Sequence, residues 1–294
     1  MIHLLAILGV VIISFSAIFV RLAAVSPVTA TFFRAAYALP VLAIIWAVQR
    51  RGDRRSARER RLALISGLIL AVDLALWHES IALVGAGLGT VVANVQVVFV
   101  AVTAWLLFNE RLTRGRLATI VIVLGGVALT SGLARDDAYG SNPVAGVIIG
   151  LVAGVCYSAY ILVYREANRT PGPASGPLLD STIGMIAGAI ACAVFDRHFS
   201  LTPGRAAHLW LALLAIGSQV VGWLLIGQAL PALPAVEMSI LLLGQPIFTV
   251  FWGVLLFDER LSALQWLGCA IVLGGVATLS IRRPVVHHAD HASV

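Results

Sequence analysis

Lysine is absent from this sequence, and charged residues of all kinds make up only 12% of its 294 positions. A soluble globular domain carries about a quarter charged residues and is about half apolar. This chain is 60% apolar, and its mean hydropathy is +0.97. So few charges do not cover a water-exposed surface, which excludes an ordinary soluble fold. Because each membrane-spanning helix needs about 20 apolar residues, the chain has room for about ten spans.

Motifs that would indicate other functions are also missing. Cys156, Cys192 and Cys269 lie in apolar stretches without CxxC spacing, so neither a disulfide framework nor a thiolate metal site is predicted. The sequence contains no phosphate-binding loop of the ATPase type and no HExxH or GxSxG motif. We therefore predict no metal, no cofactor and no enzymatic activity. An intramembrane enzyme stays as a remote alternative.

The formal net charge of +6 comes from arginines that cluster between apolar segments. Nucleic-acid-binding proteins instead present basic patches on one face, and binding of single strands adds aromatic side chains. The basic character is therefore attributed to membrane topology. The predicted partners are a small-molecule solute and the lipid bilayer, with no nucleic acid, and the chain is expected to be a monomer or a weak homo-oligomer.

Long apolar runs extend along the whole chain and predict an all-α membrane protein. Short connections separate them and carry Pro, Gly, Asp or Arg, as in Ser26-Pro27 and Pro171-Gly172-Pro173. The predicted spans, numbered one to ten, are 2–21, 28–49, 62–83, 87–108, 116–133, 143–164, 178–195, 207–229, 235–257 and 263–281.

The distribution of arginine predicts the orientation of these spans. Seven arginines lie between Arg50 and Arg61, and the positive-inside bias places this connection in the cytoplasm. Both termini are then cytoplasmic. Counting through ten spans gives fourteen arginines on the cytoplasmic side and five on the other, with Arg34 left inside a span. This imbalance supports ten spans in a cell inner membrane.

The sequence repeats itself at a shift of 149 residues. Gln96 falls on Gln245, and the segment Glu110-Arg111-Leu112 falls on Glu259-Arg260-Leu261. Ile122 to Ala128 matches Ile271 to Ala277 at every position. The predicted halves are residues 1–134 and 143–283, followed by a disordered cytoplasmic tail over 284–294. Because each half holds five spans, the two halves insert with opposite orientation, as in many secondary transporters.

The duplicated Phe-Asn/Asp-Glu-Arg-Leu element followed by Gly-Gly resembles the EamA family of the drug/metabolite transporter superfamily. Ala82-Leu83 before Gly85-Ala86-Gly87, Gln245-Pro246 and Arg34 are similar to that family's pattern. The resemblance implies ten spans and export of amino acids, related metabolites or drugs, and the aromatic amino-acid exporters are the most similar branch. Val97 departs from the pattern, because a proline often stands there.

Polar side chains inside the spans are the candidate binding residues. An ionisable group near the bilayer centre costs about 3 kcal/mol and usually faces a cavity or a partner. The predicted substrate-binding residues are Asp73, Trp77, His78, Asn94, Gln96, Tyr157, Tyr160, Gln219, Trp223 and Gln245, with Arg34 as a carboxylate clamp.

Each of these candidates also has a structural interpretation. His78 is able to bind a carboxylate or couple to protons, or else to hydrogen-bond between packed helices. Trp77 stacks on a substrate or belongs to an interfacial aromatic belt. Arg34 clamps a carboxylate or pairs with Glu79 or helix-end carbonyls. Asp73 and Glu79 lie about 240° apart around a helix, so at most one of them faces a narrow cavity.

Two further patterns favour structural roles. The series Gly146, Gly150 and Gly154 and the pair Gly184 and Gly188 have GxxxG spacing, which predicts close helix packing, within one chain or between two. The tail, which includes His287, His288 and His291, offers a modest metal site, but a soluble disordered segment is the preferred interpretation.

The sequence therefore predicts a secondary exporter of amino acids, aromatic ones included, or similar small metabolites, that works by alternating access. The alternative is a multidrug or organic-cation efflux transporter that uses Asp73 or Glu237 as a counter-ion.

Overall fold

The computed structural model describes residues 2–96, 98–99, 102, 114–130, 139–229 and 244–281. Helices fill most of these ranges, and no β-strand occurs within them. The helices are α1 (Ile2–Ser14), α2 (Ser16–Ala23), α3 (Pro27–Gln49), α4 (Ala57–Ala93), α5 (Arg114–Thr130), α6 (Pro143–Ala167), α7 (Ser175–Ala193), α8 (Arg205–Leu213), α9 (Trp223–Ala229), α10 (Gly244–Phe257) and α11 (Ala263–Ile281). A π-helical segment, Leu214–Gly222, joins α8 to α9.

Among the described residues, six helical stretches are long and apolar enough to cross a membrane: His3–Ala23, Pro27–Gly52, Ala57–Ala93, Pro143–Ala167, Ser175–Ala193 and Arg205–Ile226. Three shorter apolar helices accompany them, Leu117–Thr130, Gly244–Phe257 and Ala263–Gly275. The chain is a multi-pass membrane protein. The count of ten spans stays a prediction, because much of predicted spans four and nine, including Val97, lies outside the described residues. The 284–294 tail and Glu237 lie outside them too.

Helix α4 contains a break that divides it into two arms. At Gly85 the backbone leaves the helical region, with φ 87° and ψ 167°. A Cβ atom built on Gly89 would lie 3.3 Å from Cα of Ile81. In a continuous helix eight residues rise about 12 Å, so the chain must double back at Gly85. A positive φ suits glycine because it has no Cβ. The break lies where the sequence separates span three from span four.

Local sequence explains where several helices begin. The Ser26 hydroxyl accepts a hydrogen bond from the Thr29 amide, and Pro27 occupies the first turn of α3. Ser56 and Glu59 form a reciprocal capping box at the start of α4. These side chains satisfy amides that have no partner within the helix.

Glycines allow α6 and α7 to approach α4 closely. Cβ atoms built on Gly146, Gly150 and Gly154 would each contact α4 or the residues that follow it, and the one on Gly150 would meet both Ser80 and Val92, from opposite arms. Gly184 and Gly188 face the first arm in the same way. The prediction that these GxxxG series serve close packing is confirmed, and the packing they provide lies within one chain.

The repeated helices α5 and α11 pack against each other. A Cβ atom on Gly126 would lie 3.1 Å from the carbonyl oxygen of Gly268, and one on Gly275 would lie 3.8 Å from a Thr119 methyl carbon. The shift of 149 residues converts the first pair into the second. The two contacts are therefore reciprocal, as expected when a pseudo-two-fold axis relates two helices.

Candidate functional site

A cavity of about 720 Å³ lies inside the helical assembly. Its deep end is lined by Ser16, Arg34, Trp77 and Thr90. Its other end is lined by Arg165, Pro171 and Gly172, which are exposed. The cavity therefore opens to the surface at the end of the molecule where the arginine-rich connection lies.

The structure brings most of the predicted site residues to this cavity. Its lining includes Arg34, Asp73, Trp77, Asn94, Gln96, Tyr157, Tyr160, Trp223 and Gln245. His78 and Gln219 are not among the lining residues. Whether the lining residues bind a solute stays a prediction.

Arg34 is held from one side by neutral groups. Its side chain projects from α3 and is 4% exposed. Nε donates a hydrogen bond to Oε1 of Gln219 at 2.8 Å, and Nη1 donates to Oγ of Ser16 at 3.0 Å. Neither partner carries a charge, so the positive charge of the guanidinium is not cancelled by them. The structural interpretation of Arg34 named Glu79 or helix-end carbonyls as its partners, and Gln219 and Ser16 are neither of these.

Gln219 reaches Arg34 from the π-helical segment between α8 and α9. π-Helical turns are wider than α-helical ones and occur often at functional sites. Gln219 is 1% exposed and does not line the cavity, and its side chain contacts Arg34 instead. Ser16 follows the interruption between α1 and α2, and sequence reasoning missed it because a serine in an apolar run gives no strong signal.

Asp73 has no neutralising contact of its own. Its side chain lines the cavity, and it forms no hydrogen bond and no ion pair with another described residue. Arg34 lines the same cavity, and no ion pair between the two side chains occurs among the described contacts. Two other lining residues have buried polar atoms that lack a partner among the described residues, Nε1 of Trp77 and Oε1 of Gln96. Because buried polar atoms are nearly always paired, these two atoms are unusual, and both belong to residues that line the cavity.

Three tyrosines of α6 form a ladder along the cavity wall. The ring centroids of Tyr157 and Tyr160 lie 5.5 Å apart, and those of Tyr160 and Tyr164 lie 5.3 Å apart. Spacings of three and four residues place the rings on one helix face. Sequence reasoning identified Tyr157 and Tyr160 but missed Tyr164, although the same spacing includes it.

His78 packs between α3 and α4, away from the cavity. Its Nδ1 lies 3.2 Å from the carbonyl oxygen of Pro27 and 3.3 Å from Oγ1 of Thr31. Its ring lies 5.3 Å from that of Trp77, which does line the cavity. This location matches the structural interpretation of the histidine.

A buried ionic cluster lies at the opposite end from the opening. Glu259 pairs with Arg21, and its carboxylate also accepts hydrogen bonds from the amides of Ala86 at 2.7 Å and Gly87 at 3.1 Å. Arg21 lies 4.1 Å above the Phe257 ring and donates to the Tyr139 hydroxyl at 3.3 Å. The amides belong to the first turn of the second arm of α4, where the helix dipole favours an anion.

Within the part of the chain that the structure describes, buried side chains separate the cavity from this end. Between the deep end of the cavity and Gly85, the side chains of Ile81, Val84 and Leu88 are buried. A separate space of about 330 Å³, lined in part by Arg21 and Tyr139, lies beyond them. Sequence reasoning used Glu259 only as part of the repeat. The repetition of the Glu-Arg pair in both halves indicated that Glu259 has a role. Sequence spacing did not predict its contact with Ala86.

Charged side chains also surround the open end. Arg55 donates to both carboxylate oxygens of Asp53, at 2.9 and 3.0 Å, and lies 2.9 Å from Asp180. These hydrogen bonds from Arg55 hold the pKa of the Asp53 carboxyl well below its usual range. The Glu59 carboxylate accepts from the Thr170 amide at 2.9 Å and ties the start of α4 to the connection after α6. Asp53, Arg55 and Thr170 all line the mouth of the cavity.

Apolar helices around a cavity that contains charged and polar side chains and opens at one end define a multi-pass membrane transporter. The family model described as the EamA-like transporter family matches residues 1–132 and 144–281. The chain belongs to this family, as its duplicated motif suggested.

Relatives with described functions include amino-acid exporters. The threonine/homoserine exporter RhtA of Salmonella typhimurium (strain SL1344) is 30% identical over 243 residues, which cover 80% of this chain and 78% of the relative. The transporter YwfM of Bacillus subtilis (strain 168), described as uncharacterized, is 26% identical over 79% of this chain and 78% of its own length. A probable amino-acid metabolite efflux pump of Escherichia coli (strain K12) is 26% identical over 65% of this chain and 66% of its own length.

A solved structure described only as the crystal structure of a protein has a similar fold. It superposes with a TM-score of 0.62 at 18% sequence identity, covering 95% of this chain and 97% of the other. The similarity extends over almost the full length of both chains.

Proposed function

We propose that this protein exports amino acids, aromatic ones included, or similar small metabolites across the cell inner membrane by alternating access. The observation that carries the proposal is the cavity of about 720 Å³, which opens at one end among the described residues and is lined by both Arg34 and Asp73. Such a cavity exposes a solute-sized polar site to one side of the membrane while packed side chains separate it from the other side.

The family and the names of the relatives support the class of solute. Two of the relatives above are described as exporting threonine, homoserine or amino-acid metabolites. Their identity to this chain is 30% or less, so the substrate has to be argued from this chain's own cavity. Arg34 offers an amino acid a guanidinium whose donors match a carboxylate, and the tyrosine ladder offers apolar surface to its side chain.

Alternating access requires a second conformation that closes the present opening and opens the other end. The reciprocal contact between α5 and α11 supports two halves related by a pseudo-two-fold axis, which is how inverted repeats exchange conformations. The Glu259 cluster closes one end, and its separation during transport would open that end.

The open end is proposed to face the cytoplasm, with both termini on the same side. The arginines from Arg50 to Arg61 lie at this end, and basic connections stay in the cytoplasm. A cytoplasmic fluorescent reporter fused after Val294 should be active, and a periplasm-dependent phosphatase at the same point should not. The reverse result would contradict this orientation.

Organic-cation efflux is the alternative function, and one observation favours it. Asp73 lies in the cavity without an ion pair among the described residues, as a counter-ion for a cation would. Arg34 opposes it, because a fixed positive charge in the same cavity repels a cation. Flux measurements distinguish the two functions.

The test is uptake and efflux of labelled solutes in proteoliposomes that contain the purified protein. We expect saturable flux of L-threonine or L-phenylalanine, reduced by unlabelled amino acids and absent from protein-free liposomes. Saturable flux of tetraphenylphosphonium without flux of any amino acid would favour the cation alternative and reject amino-acid export.

A further inference from the structure

We infer that Asp73 binds the α-ammonium group of the substrate while Arg34 binds its carboxylate, so that the cavity selects zwitterionic α-amino acids. Solutes that carry only one of these two charges are bound more weakly. This inference rests on the proposed function. It adds that Arg34 and Asp73 each bind a different charged group of the same solute.

Arg34 is positioned to present its remaining donors to the cavity. Gln219 and Ser16 hold Nε and Nη1, while Nη2 donates to no described residue. Because arginine has five N–H donors in a planar fork, two neutral partners leave donors for a carboxylate. Anchoring at two points also removes most of the rotational freedom that a solute would otherwise have to restrict.

Asp73 supplies the opposite charge on another helix. It lines the same cavity on the first arm of α4, and no described residue pairs with it. A buried charge without a partner is strongly unfavourable in a membrane protein unless function retains it. Arg34 lines the same cavity, and the two side chains form no ion pair with each other among the described contacts. A small solute with charges of both signs would therefore be attracted by Arg34 at one end and by Asp73 at the other.

Two uncharged groups complete the set of donors and acceptors. Trp77 lies one helical turn from Asp73, is 6% exposed, and has an Nε1 donor without a partner in the described part of the chain. Gln96 offers an unpaired Oε1 acceptor on the other side of the α4 break. Both residues line the cavity, so a rotation of either side chain would bring this donor or this acceptor to a bound solute.

The electrostatic balance of the site explains the expected selectivity. A zwitterion provides a partner for both charges, whereas a carboxylic acid without an amino group leaves Asp73 unpaired. An amine without a carboxylate leaves Arg34 unpaired. Sites built to bind a polar group reject analogues that lack it, because their own buried groups then lose a partner.

The test compares three solutes with the same side chain. L-Phenylalanine, phenylpyruvate and 2-phenylethylamine compete with labelled L-threonine or L-phenylalanine in wild-type proteoliposomes. We expect both single-charge analogues to compete at least about tenfold more weakly than L-phenylalanine. Equal competition by phenylpyruvate or 2-phenylethylamine would overturn the inference, even if amino-acid flux is robust.

Substitutions then assign the ammonium group to Asp73. In Asp73→Asn we expect competition by L-phenylalanine to weaken at least about tenfold, while competition by phenylpyruvate changes less than about threefold. Glu79→Gln is the matched control, since it neutralises a carboxylate on the same helix outside the cavity lining and should keep the wild-type order.

The remaining outcomes are separable. Unchanged discrimination in folded Asp73→Asn would overturn the role of Asp73. If that variant does not fold, Asp73→Glu, which keeps the carboxylate but displaces it, should weaken competition by L-phenylalanine relative to phenylpyruvate, and an unchanged ratio would equally overturn the role of Asp73. Absence of amino-acid flux in the wild type would instead reject the proposed function, and this inference with it.

Discussion

The Glu259 carboxylate accepts a hydrogen bond from the Ala86 amide at 2.7 Å, although 173 positions separate the two residues in the chain. The contact joins the connection after α10 to the first turn of the second arm of α4. Arg21 pairs with the same carboxylate, and the Glu259 side chain is completely buried. One carboxylate therefore links three parts of the chain at the closed end of the cavity.

Glu259→Gln should weaken this closure, because the uncharged glutamine side chain forms no ion pair with Arg21 and is attracted much less to the helix N-terminus. Thr90 lines the deep end of the cavity and is buried. With the three native cysteines replaced, we expect Thr90→Cys to react with an external membrane-impermeant maleimide about tenfold faster in the Glu259→Gln background, which corresponds to a loss of about 1.4 kcal/mol.

Arg260→Gln is the control for this measurement. Arg260 is adjacent to Glu259 but exposed, and it pairs with the exposed Asp258 at 2.7 Å. An exposed ion pair contributes at most about 1 kcal/mol. Labelling should therefore stay at the level of the parent protein, and equal labelling in both variants would contradict the role given to Glu259.

Gln219→Ala tests whether this residue acts by orienting Arg34. The variant removes the acceptor at 2.8 Å from Nε of Arg34, so the guanidinium becomes more mobile. We expect KM for the transported amino acid to rise about tenfold, with a smaller change in the maximal rate, because binding geometry is lost. The measurement is concentration-dependent flux normalised to folded protein.

Ser218→Ala provides a matched comparison at the adjacent position of the π-helical segment. The Ser218 hydroxyl is buried and has no partner among the described residues. Its removal should leave KM unchanged. A rise in KM of similar size in both variants would indicate a general disturbance of the segment rather than a specific effect on Arg34.

Gly184→Ala should destabilise the protein strongly. A methyl group on Gly184 would overlap the backbone carbonyl of Leu64 in α4, and a backbone does not move aside as a side chain does. We expect a loss of at least about 2 kcal/mol, measured as thermal unfolding in detergent. Gly125→Ala, where no heavy atom lies within 4 Å of the new Cβ, should be neutral or stabilising by up to about 1 kcal/mol. Equal stability of the two variants would contradict this packing.

His78→Ala should lower stability more than transport. The histidine lies within hydrogen-bonding distance of Pro27 and Thr31, and deleting a buried hydrogen-bonding group typically costs about 1–3 kcal/mol. We expect a lower Tm but flux per folded protein within about twofold of the wild type, with His78→Gln restoring part of the stability. Loss of flux at unchanged stability would show instead that His78 contacts the substrate or couples transport to protons.

The sequence by itself determined the properties that depend on neighbours along the chain. Composition identified a membrane protein, because apolar content is summed over residues irrespective of their arrangement. The separate apolar runs 62–83 and 87–108 predicted an interruption between spans three and four, and the break at Gly85 lies there. The shift of 149 residues predicted that α5 and α11 are equivalent, and their reciprocal contact agrees with it.

Only the tertiary structure decided which polar residues share the cavity. Asp73, Trp77 and His78 are close in sequence and equally unusual in a span, yet the first two line the cavity and the third packs against α3. Hydropathy does not predict this difference, because lipid and neighbouring helices are similarly apolar and the rotation of a helix is set by packing. The pairing of Arg21 with Glu259, across 238 positions, depends in the same way on how the helices pack.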